Sequence, residues 1–106
     1  SLNSPACDAK LAELQKFADK YEGKAVSMYA KADILVFRFD EMEKSGAGSA
    51  DYEVFCKECQ DFEKARKAFN GDEARIVGGL NSVGDIVRDL TDKNIGLRVE
   101  GRLSPF

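Results

Sequence analysis

The sequence predicts an all-α fold: a long N-terminal helix, then a two-helix hairpin, then an extended tail. Three observations carry this. Apolar residues recur at steps of three and four over most of the chain. Two glycine-containing breaks, "KSGAGSA" and "NGD", divide that pattern into three segments. Strand-like alternation shows only in part of the tail.

The first helix is expected over residues 5–44. Ser4 can cap it, and Pro5 suits the first helical position, where a missing N–H costs nothing. Asp8 falls near the positive end of the helix dipole. From Leu11 the seam runs through Leu14, Ala18, Tyr21, Ala25, Met28, Ala32, Leu35 and Phe39 to Met42 without a slip. That spacing is the heptad of a coiled-coil-like bundle. The run Ile34–Phe39 is β-branched and aromatic enough to suit a strand, but the seam passes straight through it, so helix is preferred. The run is apolar on more than one face, which calls for two neighbours there.

Gly46 and Gly48 end this helix, and Ser49 can cap the second, expected over 50–69 with Tyr52, Phe55, Cys59, Phe62, Arg66 and Phe69 on its seam. Asn70–Gly71 stops it and Asp72 can cap the third, expected over 73–91 with Ile76, Leu80, Val83, Val87 and Leu90 inward. Gly78, Gly79 and Gly84 each weaken that helix by up to ~1 kcal/mol relative to alanine, so packing must hold it. The tail, 94–106, alternates Ile95, Leu97 and Val99 with Arg98 and Glu100, and reads as an edge strand or strap.

These lengths do not match. A helix over 5–44 is about 60 Å long, whereas helices of about 20 residues reach roughly 30 Å. The hairpin therefore covers half of the first helix and leaves residues 5–24 with a bare seam. One solution breaks the helix near Gly23 in "YEGKA" and folds it back into a four-helix bundle. The other keeps it straight and pairs the bare half with another chain. The straight reading is preferred, because a reversal at Gly23 leaves almost no residues for a loop. It makes Leu11, Leu14, Tyr21, Met28 and Arg66 the expected partner interface. Cys7 is then about 40 Å from Cys56 and Cys59, too far for a disulfide; a fold-back brings Cys7 toward Cys56.

Composition removes several functions. The chain has 106 residues, one domain's worth, and a net charge of −3 with no basic face, which disfavours nucleic acid and anionic membrane surfaces. No apolar run approaches the ~20 residues of a membrane span, and no basic start leads into an apolar segment as a signal peptide requires. The absence of histidine excludes Ser-His-Asp and Cys-His catalysis within one chain and histidine metal sites. Three cysteines suit a reduced, cytoplasmic chain better than a secreted one.

Cys56 and Cys59, in "FCKEC", have the C-x-x-C spacing of redox and zinc sites. A closed zinc site needs four ligands, and a redox pair belongs at a helix start. Inside a helix, Cys59 reads as a core position and Cys56 as its neighbour. Asp40, Glu41 and Glu43 read as a solvated face. Arg66 on an apolar seam either lets its head snorkel outward or pairs with an acid. The "VGGL" glycines lack the spacing of a phosphate loop, and no metal or cofactor is expected.

The layout of one long and two shorter helices is similar to that of the small all-α chorismate mutases. Those enzymes aim several basic side chains at a dicarboxylate. Here the first helix carries one arginine, Arg38, and no site is transferred. The expected function is a non-enzymatic helical protein–protein interaction module or assembly subunit, with a protein partner or a second copy on the first helix. The alternatives are a secreted or pathogen-derived helical effector or ligand-binding bundle and, behind it, an enzyme on an anionic small molecule.

Overall fold

The computed structural model describes residues 5–93, with side chains from residue 7 onward. They form five helices and, among the described residues, no strand: α1 (Pro5–Lys20), α2 (Ser27–Ser45), α3 (Ser49–Lys67), α4 (Gly71–Gly78) and α5 (Ser82–Asp92). The tail, expected to alternate, lies outside the described residues. No helix described is long and apolar enough to cross a membrane.

The single long helix of residues 5–44 is corrected. It ends at Lys20, and α2 starts at Ser27 and packs back along α1. Residues 21–26 reverse the chain through tight turns. Lys24 N–H donates to the Tyr21 carbonyl at 2.9 Å, and Ser27 N–H donates to that of Lys24 at 3.1 Å. Gly23 has φ +84°, a left-handed conformation that costs an L-residue roughly 1–2 kcal/mol. The Glu22 carboxylate accepts from Gly23 N–H at 3.1 Å and from the Lys31 ammonium at 2.8 Å, and the lysine holds the carboxyl below its usual range. Ala25, wholly buried, donates its N–H to Glu73 Oε2 of α4 at 2.7 Å. The loop is thus made from seam residues. Tyr21 stays half-buried and Ala25 fully buried, so the heptad spacing continues although the helix does not.

The later breaks follow local chemistry. Gly46 closes α2 in a left-handed cap, with its own N–H on the Glu43 carbonyl and that of Ala47 on Met42. The third expected helix, 73–91, is corrected to two, α4 and α5. Beyond the glycine pair, the Val77 carbonyl accepts from Leu80 N–H at 3.1 Å and from Arg66 Nη1 at 3.2 Å, so a side chain satisfies the helix end. The break also rotates the buried face. Ile76, expected inward, is 47% exposed, and Val77 is buried in its place.

The core joins Met28, Ala32 and Leu35 of α2, Phe55, Cys56, Cys59 and Phe62 of α3, and Val77, Leu80, Val83, Ile86 and Leu90 of α4, the loop after it and α5. Phe39 stacks on Phe55 with centroids 6.1 Å apart, and Arg38 lies over the Phe55 ring at 5.2 Å. Glu63 grips Arg66 through two hydrogen bonds of 2.9 and 3.0 Å. A Cβ at Gly84 would stand 3.0 Å from Glu63 Oε1, so α5 approaches α3 closely there. α1 lies outside this core and packs chiefly on α2, where Ala18 and Ala30 are buried. The described residues form a flat body, 38 × 38 × 18 Å.

Gly23→Ala is expected to lower unfolding free energy in urea by about 1 kcal/mol. Gly79→Ala, at φ −91° with nothing near its Cβ, is expected to be neutral or stabilising by up to ~1 kcal/mol. Equal effects at both sites would contradict the left-handed turn.

Candidate docking surface

The expected interface residues do not share one surface. Met28 is 3% exposed in the core. Arg66, half-buried, binds Glu63 and the Val77 carbonyl within its own chain, and the Glu63 hydrogen bonds raise its pKa further. Leu11, Leu14 and Tyr21 remain half-buried on α1 and the turn after it.

Cys56 and Cys59 are core residues, and Cys7 is half-buried on α1. None of the three is in a disulfide, although α1 folds back. Cys56 and Cys59 are wholly buried, and burial, followed by the neighbouring Cys56 and Glu58, pushes the Cys59 thiol up to about 12. A thiol so placed stays protonated at neutral pH and is a poor nucleophile or metal ligand. No group of three metal-ligating side chains occurs among the described residues. In the acidic run after Phe39, Glu43 lies 3.9 Å from the Lys93 ammonium and Asp40 points to a surface groove.

That groove follows the edge where α1 lies on α2. Its first part, about 370 Å³, is walled by Leu14 and Phe17 of α1 and floored by Tyr29, Ala30 and Asp33 of α2. The second, about 250 Å³, shares Lys10, Leu14 and Asp33 and continues over Val36, Phe37 and Asp40. Beside the Tyr29 end, the Tyr29 hydroxyl donates to the Ile76 carbonyl of α4 at 2.5 Å. Phe17 and Tyr29, which line this end, are 40% and 43% exposed, and Val26 and Ile76, whose carbonyls accept from the Tyr29 N–H and hydroxyl, are 41% and 47% exposed. On α1 the groove exists because each helix turn brings Lys10, Leu14 and Phe17 to one side, while Ala18 lets the helix sit close on α2.

Of the groove residues, only Leu14 was expected at an interface. Phe17, Val26 and Tyr29 flank the heptad seam rather than lie on it, so periodicity assigns them no contact. Their signal is that each is a large apolar side chain beside an already complete seam. A second cleft, about 340 Å³, opens between α1, α2 and α3 over Met28, Leu35 and Phe62, with Lys31, Glu58 and Asp61 also lining it.

The Cys59 thiol gives a stability term with a definite sign. Its folded pKa lies above the ordinary 9.0, so the contribution is full below pH 9 and is lost as pH rises from 9 toward about 12. The urea stability of the native chain relative to Cys59→Val should therefore decline between pH 8 and about 10.5. A difference independent of pH would contradict the buried, protonated thiol.

Comparison of the chain with family models, with curated proteins and with solved structures found no match.

Proposed function

We propose that this chain is a non-enzymatic helical interaction module that seats a segment of a protein partner along the α1–α2 groove. The observation that carries this reading is a groove lined by Leu14, Phe17, Tyr29 and Ala30 in which Phe17 and Tyr29 stay 40% and 43% exposed, with the exposed Val26 and Ile76 joined to Tyr29 through their carbonyls. Single exposed apolar residues are ordinary on any surface. Two exposed aromatic residues lining one apolar groove form the kind of surface that marks an interaction site.

The surface is the edge left after the chain covers its own seam. Folding α1 onto α2 removes the bare half-helix expected from sequence, and Met28, Ala32 and Leu35 are used inside. What stays open is the flank of α1, whose packing is chiefly with one helix. Two further features support a binding rather than a catalytic role. The one motif with catalytic spacing, Cys56–Cys59, serves packing, and the groove floor is built from residues of a single helix, α2.

A photo-cross-linking amino acid placed at Phe17 in cells of the source organism is expected to give a discrete protein adduct. The same group at Val54, 66% exposed on α3, is the control and is expected to give none. Identical adducts at both positions, or none at Phe17, would overturn the reading.

A further inference from the structure

We infer that the groove takes a basic amphipathic helical segment of another protein, one that carries two cations seven residues apart with apolar residues between them. This inference rests on the interaction-module reading and specifies its partner.

The α2 floor of the groove reads Tyr29, Asp33, Val36, Asp40, at steps of four, three and four. Apolar and acidic side chains therefore alternate along one stripe. Asp33 and Asp40 are two turns apart, roughly 10.5 Å along the axis. Both are exposed, and neither makes an ion pair or hydrogen bond among the described residues. That sets them apart from Glu22, Glu58, Asp61 and Glu63, which are paired with Lys31, Arg38, Lys57 and Arg66. The opposite wall supplies Leu14 and Phe17, with Lys10 and Glu13 beside them. The groove thus holds one ammonium against three carboxylates, over an apolar centre.

A helix laid in this groove would repeat the same two-turn spacing. Cations at its positions i and i+7 meet Asp33 and Asp40, and apolar residues at i+3 and i+4 meet Val36 and Leu14. Its arrival would also give α1 a second helical neighbour. The charge decides against other classes. Phosphates of nucleic acid and anionic lipid headgroups are repelled by the carboxylates. An apolar segment without cations would leave two acids desolvated and unmatched.

The test is selection from a random peptide library displayed on phage, with the full chain as bait. Enriched peptides are expected to carry lysine or arginine seven residues apart around an apolar pair. They should shift the backbone amides of residues 10–17 and 29–40 in NMR titration, and bind more weakly as salt rises. Asp33→Lys with Asp40→Lys should weaken them roughly tenfold or more, and Asp33→Asn with Asp40→Asn by less, with helix content unchanged. Groove-binding peptides that are neutral or acidic, or that ignore both double variants, would overturn the inference and leave the module reading standing. So would sedimentation showing a dimer that Asp33→Lys with Asp40→Lys dissociates, since a second copy would then be the occupant. Basic peptides displaced by the chain's own residues 94–106 would overturn it likewise. A selection that enriches nothing at the groove, joined to the absence of a Phe17 adduct, would sink both readings.

Discussion

The reversal between Tyr21 and Val26 decides where the rest of the molecule can be. It needs one left-handed residue, Gly23, and one acceptor for the buried Ala25 amide, the carboxylate of Glu73. A buried N–H without a partner costs about 1–3 kcal/mol, so the turn and α4 stabilise each other across 48 residues of sequence. If the turn opened, α1 would lose its only extensive packing among the described residues, and the groove on its flank would cease to exist.

α4 is small for the number of side chains it receives. Eight residues long, it supplies Glu73 to the turn, the Ile76 carbonyl to Tyr29 and the Val77 carbonyl to Arg66. An isolated helix of this length is unstable in water, so these tertiary bonds and the burial of Val77 hold it in place. Arg66 in turn is fixed by Glu63, whose carboxylate fills the space that a Cβ at Gly84 would need. The end of α3 therefore positions both α4 and α5, and through Glu73 it positions the α1–α2 reversal. Fold and surface are coupled by one chain of side-chain hydrogen bonds.

Much of this was legible from sequence, because helix class and the strong breaks depend on local chemistry. Gly46 ends α2 where its residue type predicts, and the break expected at Asn70–Gly71 falls between α3, which ends at Lys67, and α4, which starts at Gly71. The Gly23 break is hidden from periodicity because two antiparallel helices can share an inward seam, so Tyr21 and Ala25 continue the spacing through a turn. The loop problem vanishes once seam residues themselves form the loop. The break after Val77 depends on Arg66, eleven residues away, and no local pattern reports that contact. For the surface, periodicity names what faces the core, and therefore named Met28; it is silent about Phe17 and Tyr29, which matter because they stay outside.

The account stands on α1 lying back along α2. The distance between spin labels at positions 10 and 40 tests it most directly. Lys10 and Asp40 line one cleft, and packed helices have axes 8–10 Å apart, so labels on their surfaces should lie within about 20 Å of each other. A continuous helix across Gly23 would separate positions 10 and 40 by roughly 45 Å. A short distance supports the folded-back helix and its groove; a distance near the longer value would contradict both.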